Sequence, residues 1–386
     1  LALSLAQSTT SPRNENYTGD GTSGAFVWGA QGEQGLVATD YIETTTTTGK
    51  AGILEDLPRI DFTDDTTGHL LLEPQRTNVI RQSEYFQGWH TDNNVSYSVN
   101  NATSPEGLTN ATKVTATSTY NSYFRQNVTT SAGDNVFSVF AKYEDCQYIM
   151  LRSAFFTGGD EAEVWFDIQN GVKGGSTEDD VTYDIEDYGN GWYRCYVVFN
   201  VAGDTSGYCY IHLSSTDESL DVVNGTSVHF YGAQQELGSY PTSYIPCYGS
   251  SVTRNAEVCN NSGSVQDFNS EEGVLYAEVA RFGSDTSFAS ISISDGSVSN
   301  VIAFKFRDLA NQVAGRVAGA STSKDITVTT SDISQFNKFA ISYSTTSDIS
   351  KFYINGVEVG TISLAGLTVS GLATLQFNRG SSGGEK

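Results

Sequence analysis

Positive charge is scarce in this sequence. Lysine and arginine together number 21 against 45 aspartates and glutamates, which leaves a formal net charge of -24. Such an acidic surface repels phosphate backbones and anionic lipid, so we expect no binding to nucleic acid. Uninterrupted apolar runs are also short of the roughly 18 residues that a transmembrane helix needs, so we expect no membrane insertion.

Cysteine is sparse as well, and its spacing excludes the common zinc sites. The five cysteines form no Cys-x-x-Cys pair, and the four histidines lie outside any His-Glu-x-x-His motif. An odd number of cysteines spread over 386 residues favours buried free thiols over a disulfide framework. Cys195 and Cys209 lie on consecutive predicted strands, so a bridge between these two stays an alternative.

Long amphipathic helical patterns are missing, and short strand patterns take their place. The 21 tyrosines, 20 phenylalanines and 38 glycines suit half-buried strands separated by tight turns. Strand patterns recur at short intervals between residues 89 and 236, and a second set runs from 273 to 378. This spacing predicts an all-β fold of tandem antiparallel β-sandwiches, a jelly roll followed by a second sandwich. Asn355-Gly356 between two alternating runs predicts a type I′ hairpin.

An internal repeat indicates how the chain is organised. Residues 29–42 and 232–245 share the pattern G-A-Q-x-E-x-G-x-x-x-T-x-Y-I. The second copy contains Pro241 and is followed by Pro246, which predicts a closing strand that leaves its sandwich as an extended strap. We interpret residues 1–50 as the closing strand and exit strap of a preceding module. The remaining predicted segments are a connector at 51–80, a jelly roll at 81–246, a linker at 247–263 and a sandwich at 264–386 that lacks its last strand.

Exposed aromatic residues are the candidates for a sugar site, because an aromatic ring can stack on a pyranose face. Trp165 and Trp192 alternate with apolar neighbours inside predicted strands, so we expect them in the core. Trp89 lies in a more open polar stretch near the start of the jelly roll, and Tyr120 and Tyr123 lie in the loop-like segment STYNSYF. Trp89, Tyr120 and Tyr123 are therefore the sugar-binding candidates.

Acidic clusters in predicted loops raise the alternative of a calcium site. Carboxylate and carbonyl oxygens are the ligands that Ca²⁺ prefers, and such oxygens gather in these loops. Asp160, Glu161 and Asp217 are the candidate ligands. The other interpretation is a set of solvated acidic loops, and no other cofactor is predicted.

Several motifs resemble a recurring module of tailed-phage structural proteins. They are Pro58 to Phe62, Leu70 to Asn78, Ser83-Glu84 and Trp89, followed by FSVFAK, VWFDIQNG, GNGWYRCYV and the strap up to VTRNAE. The resemblance covers residues 57–258, and such modules resemble carbohydrate-binding jelly rolls. Residues 264–386 resemble a concanavalin or laminin-G type sandwich through EEGVLYAEV and KFYINGVEVGT. No catalytic motif of the family matches this sequence.

The resemblance implies a non-enzymatic virion structural protein, a fibre or appendage of tail or capsid exposed on the particle surface. Its implied partners are a host cell-surface glycan, other virion proteins and copies of itself. A homotrimer is expected, because repeated weak sugar sites gain avidity. Two alternatives stay open: a polysaccharide depolymerase, which needs paired carboxylates in a cleft, and a secreted bacterial adhesin built from the same modules.

Overall fold

The computed structural model describes residues 22, 27–32, 41–42, 44, 59–62, 66–159, 161–179, 181–203, 205–281, 289–307, 309–320, 322–330 and 332–377. In these ranges the chain forms antiparallel β-strands and one turn of 3-10 helix at Phe86–Gly88. No helix in them has the length and apolarity to cross a membrane. The all-β fold predicted from the sequence is confirmed.

Three short strands lead into the first sandwich. They are β1 (Ile60–Asp61), β2 (His69–Leu70) and β3 (Arg76–Asn78). The strands of the sandwich itself follow in chain order: β4 (Thr91–Asn93), β5 (Val95–Ala102), β6 (Ala111–Ala116), β7 (Ser122–Thr130), β8 (Gly133–Tyr143), β9 (Tyr148–Ala154), β10 (Ala162–Asp167), β11 (Val172–Ser176), β12 (Thr182–Asp187), β13 (Trp192–Val201), β14 (Thr205–Ser214) and β15 (Ser227–Leu237).

Two six-stranded sheets make up this sandwich. The front sheet has the order β11-β10-β9-β14-β7-β4, and the back sheet has the order β12-β13-β8-β15-β6-β5. Period-two alternation builds the core between them: on β7, Phe124 and Val128 are buried, whereas Tyr123 and Arg125 lie on the opposite face. Phe124 meets Phe230 of the back sheet edge-on, with ring centroids 5.3 Å apart.

The end of the connector is bound along β15 through the buried side chain of Asn78. The Asn78 amide donates to the carbonyls of Ala233 at 3.1 Å and Ile245 at 2.8 Å. Its side-chain oxygen accepts from the backbone N–H groups of Ile80 at 3.0 Å and Gln235 at 3.1 Å. Because each of these four bonds satisfies a buried backbone group, Asn78 fixes this connector segment to the sandwich.

The connector and the linker predicted at 51–80 and 247–263 lie side by side. Strand β16 (Val252–Arg254) pairs with β3 in antiparallel register. Glu73 forms ion pairs with Arg59 and, at 2.9 Å, with Arg254, and Arg59 also reaches Glu257 at 3.0 Å. The motif from Leu70 to Asn78 therefore has a structural role. Together with Arg59, it joins the connector to residues 252–257 of the linker.

The two copies of the repeat have the same local geometry where both are described. In the second copy the Gln234 side-chain oxygen accepts from the Ile245 backbone N–H at 2.7 Å. In the first copy Gln31 accepts from Ile42 at 2.6 Å. The first glycine of the pattern is left-handed in both, with φ of 64° at Gly29 and 59° at Gly232. Most of residues 1–50 lie outside the described residues, and the preceding module stays a prediction.

The second sandwich contains the remaining strands. They are β17 (Glu272–Val279), β18 (Ala289–Ser294), β19 (Val301–Phe306), β20 (Gln312–Gly319), β21 (Thr322–Thr329), β22 (Asn337–Ser344), β23 (Ile349–Ile354), β24 (Val357–Ser363) and β25 (Thr374–Gln376). One sheet has the order β17-β22-β23-β24 and the other β21-β20-β19-β18-β25. Both turn residues between β23 and β24 are left-handed, with φ of 51° at Asn355 and 83° at Gly356, which confirms the predicted hairpin.

The expectations for cysteine and tryptophan are also confirmed. All five cysteines are free thiols, and four of them are buried. Cys195 lies in the back sheet and Cys209 in the front sheet, so strands that are consecutive in sequence belong to opposite sheets. Trp165 and Trp192 are buried, as their alternation with apolar residues predicts.

Candidate functional site

The outer surface of the front sheet carries a row of aromatic and arginine side chains. Tyr210 on β14 lies directly opposite Arg125 on β7 and Arg152 on β9. One rung further along, His212 lies between Tyr123 and Met150. Directly paired residues share a face of the sheet, so these side chains form one continuous surface. We call it the aromatic–arginine face, made of Tyr123, Arg125, Arg152, Phe155, Tyr208, Tyr210 and His212.

Arg125 lies against two tyrosine rings. Its guanidinium carbon is 4.2 Å from the centroid of Tyr208 and 5.1 Å from that of Tyr210, and it donates a hydrogen bond to the Tyr210 hydroxyl. Its Nε is buried without a hydrogen-bond partner. No carboxylate pairs with Arg125 in the part of the chain that the structure describes. A guanidinium in this position is partly desolvated, and its charge is not balanced.

Arg152, on the same rung of the sheet, is paired with carboxylates, unlike Arg125. Its Nε lies 3.1 Å from a carboxylate oxygen of Glu163, and a terminal nitrogen lies 3.3 Å from Glu161. Its guanidinium carbon is 5.4 Å from the Tyr210 ring centroid. The charge of Arg152 is therefore neutralised within the protein, which makes Arg125 the unbalanced cation of the face.

His212 is a buried, uncharged residue that packs against Tyr123 and Tyr210 of this face. It is only 3% exposed, and neither ring nitrogen has a hydrogen-bond partner. Its ring centroid lies 4.9 Å from that of Tyr123 and 5.8 Å from that of Tyr210. Burial, assisted by the nearby charge of Arg152, lowers the pKa of His212 to about 3. The imidazole is therefore neutral at physiological pH.

Phe155, a residue of this face, has an unusual backbone conformation. Its φ is 65°, in the left-handed region that bulky residues rarely adopt. The side chain is 59% exposed, and its ring meets Tyr208 edge-on with centroids 6.1 Å apart. Its backbone N–H donates to Glu161 at 3.2 Å. Such strain with so little burial points to a role outside folding, since strained residues gather at functional sites.

The structure separates the three predicted sugar-binding residues. Trp89 is 8% exposed, packs against Phe86 and Phe124, and donates its indole N–H to the Gln82 carbonyl at 2.8 Å. The predicted exposure of Trp89 is therefore wrong, because the 3-10 turn before it folds the ring into the core. Tyr123 lies on the aromatic–arginine face. Tyr120 is 56% exposed, and its backbone forms an isolated β-bridge with Asp221.

The predicted calcium ligands have protein partners where they are described. Glu161 is engaged by Arg152, and an Asp217 carboxylate oxygen accepts from the Gly175 backbone N–H at 2.8 Å. Asp160 lies outside the described residues. Among the residues with described positions, no group of three or more potential ligands gathers. The calcium site therefore stays a prediction.

Sequence reasoning missed most of this face. Arg125, Tyr208, Tyr210 and His212 lie in YFR and GYCYIHLSS, where every second residue is polar or aromatic. That alternation indicates two distinct faces, but both carry aromatic or apolar residues, so it does not show which one lies outside the core.

Comparisons with known proteins add little to this geometry. No protein-family model matches the chain. No curated protein matches it. Among solved structures the chain is similar to domains LG4-5 of the mouse laminin alpha1 chain, with a TM-score of 0.21 and 10% identity over 64% of this chain and 75% of that chain. So low a score carries no argument about function, and the sandwich fold rests on the sheets themselves.

Proposed function

We propose that the protein binds a glycan, without chemically altering it, at the aromatic–arginine face. The observation that carries the proposal is the exposed Phe155 beside Tyr208, whose ring also contacts Arg125. Aromatic rings offer apolar surfaces to the C–H faces of a sugar, and a few fixed polar groups orient its hydroxyls. Both kinds of group occur together on this sheet.

The strain at Phe155 supports a binding role. A left-handed backbone at a bulky residue costs roughly 1–3 kcal/mol. The side chain is exposed and recovers little of this by burial. The backbone strain at Phe155 lowers the stability of the fold, and its exposed ring adds little packing. Ligand binding therefore explains this residue better than packing does.

A glycine substitution separates binding from folding. Phe155→Gly removes the ring and relaxes the backbone, so stability should be unchanged or higher by up to about 1 kcal/mol. Binding to a glycan array, followed by calorimetry on the best ligand, should fall at least about tenfold, the effect of losing one good aromatic contact. Tyr276→Ala removes a comparably exposed aromatic from the second sandwich and is the matched control. Unchanged affinity in Phe155→Gly would refute the proposed site.

Placement on a phage particle is the second part of the proposal, and the motifs of residues 57–258 support it. We propose a fibre or appendage of tail or capsid, assembled from three chains that each present a glycan site. Mass spectrometry of purified virions should detect the protein, and light scattering of the purified chain should give a trimer mass. A protein absent from particles but attached to bacterial cells would favour the adhesin alternative.

One carboxylate pair keeps a depolymerase as the second candidate. The Asn110 amide donates to Glu84 at 3.2 Å and to Glu106 at 2.5 Å, and burial raises the pKa of Glu84. A carboxyl pair with one raised pKa is what glycoside hydrolysis uses. However, Glu84 is 1% exposed and is also held by the hydroxyls of Tyr244 and Tyr248. We expect no reducing ends from bacterial capsule; their release, abolished by Glu84→Gln, would establish the enzyme instead.

A further inference from the structure

The unbalanced positive charge of Arg125 indicates which chemical class of glycan binds at the aromatic–arginine face. The chain has 45 acidic side chains and 21 basic ones, yet none of the described carboxylates pairs with this arginine. We infer that the ligand of the aromatic–arginine face is an anionic sugar, and that Arg125 pairs with the carboxylate or sulfate group on it. This inference rests on the proposed function and specifies its substrate class.

Arg152 and Arg125 have similar positions but differ in their ion pairs. Both arginines flank Tyr210 on one rung of the sheet, so they share burial and aromatic contacts. Two glutamates neutralise Arg152, whereas Arg125 has only the Tyr210 hydroxyl as a hydrogen-bond partner among the described groups. A partly desolvated charge is stabilised when a counter-charge arrives, and a ligand anion supplies one.

The donor groups left on the Arg125 guanidinium suit an oxyanion. One terminal nitrogen donates one of its two N–H groups to Tyr210, the other terminal nitrogen has no partner in the described structure, and Nε is buried. The two terminal nitrogens therefore keep N–H groups that can donate in parallel to two oxygens of a carboxylate or a sulfate. The neutral His212 beneath adds no competing positive charge.

The experiment compares acidic and neutral versions of the same polymer. The probes are polygalacturonate, its carboxyl-reduced neutral counterpart, dextran sulfate and dextran, each titrated calorimetrically against the intact chain. We expect polygalacturonate to bind roughly ten- to hundredfold more tightly than its reduced form, the range for hydrogen bonds to a charged group. Binding should weaken as salt concentration rises, because screening weakens charge pairing.

Three variants assign the effect to Arg125. Arg125→Gln should lose this preference, and Arg125→Lys, which keeps the charge without the fork, should lose part of it. Lys351→Gln removes a positive charge from the second sandwich and controls for net charge, with affinity expected to change less than about twofold. Tryptophan emission confirms that the two Arg125 variants are folded, and circular dichroism does so for Lys351→Gln, because the second sandwich has no tryptophan.

The possible results distinguish failure of the anionic-ligand inference from failure of the proposed glycan site. If the acidic and the neutral member of each polymer pair bind equally, the inference is overturned and the glycan site is left standing. An unchanged preference for the acidic polymers in Arg125→Gln overturns the assignment of the acidic group to Arg125. Binding of none of the four polymers counts against the proposed function itself.

Discussion

Replacing His212 with phenylalanine should make the first sandwich resistant to acid. The imidazole is buried without a hydrogen-bond partner, and the substitution keeps its ring contacts with Tyr123 and Tyr210. An unfolded histidine takes up a proton below its usual pKa of 6.5, whereas burial holds the pKa of folded His212 near 3. Between these values the unfolded chain binds more protons, so stability falls as the pH falls.

The magnitude follows from this window. Each unit of pH below 6.5 costs about 1.4 kcal/mol until the folded pKa is reached. At pH 5 the wild-type protein should therefore lose about 2 kcal/mol through this single residue. Above pH 7 the variant should be more stable than wild type by on the order of 1 kcal/mol, because a buried polar group without partners is removed.

Tryptophan emission during urea unfolding is the appropriate assay. The four tryptophans are Trp28, Trp89, Trp165 and Trp192, so the second sandwich contributes no indole signal. The free energy of unfolding is measured from pH 7.5 to 4.5 for wild type, His212→Phe and His90→Phe. His90 is exposed on the same side of the molecule and serves as the matched control.

The difference between wild type and His212→Phe should widen steadily as the pH falls, and the His90→Phe curve should parallel wild type. Parallel curves for His212→Phe and wild type would refute the reasoning, since they would mean that folded His212 accepts its proton at an ordinary pH.

Three further predictions concern the strap and the second sandwich. Asn78→Ala removes four buried hydrogen bonds and should destabilise the first sandwich by about 3–4 kcal/mol in urea unfolding; a loss under about 1 kcal/mol would contradict its role. Gly356→Ala places a Cβ in open space at a φ of 83°, so calorimetry should show a loss of about 1–2 kcal/mol, with the tryptophan transition unchanged. Burial opposes ionisation of Glu73, but hydrogen bonds from Arg59 and Ser243 and the charge of Arg254 outweigh it and lower its pKa. Its contribution to stability is therefore present above about pH 4.5 and lost below, and Glu73→Gln should flatten that part of the pH–stability curve.

Local patterns determined much of the fold. The buried positions of Trp165 and Trp192, the free thiols and the Asn355-Gly356 hairpin could each be predicted from a few neighbouring residues. A two-residue period or a pair of left-handed turn residues is a short-range property, and the chain needs no distant partner to express it.

The site depended on pairings between distant strands. In GYCYIHLSS both alternating faces are rich in aromatic or apolar residues, so the sequence does not show whether Tyr210 and His212 or Cys209 and Ile211 face the core. Trp89 was misjudged for a related reason, since only the packed structure shows that Phe124 covers its ring.

The sequence by itself determined an acidic, all-β chain with short strands and a repeated strap motif. Tertiary structure alone decided that Arg125, Tyr210 and Arg152 share one rung, because β7, β14 and β9 are neighbours in the front sheet but far apart in the chain. It also decided which arginine is paired. Charge balance depends on which side chains meet in space, and strand order in a sheet sets that.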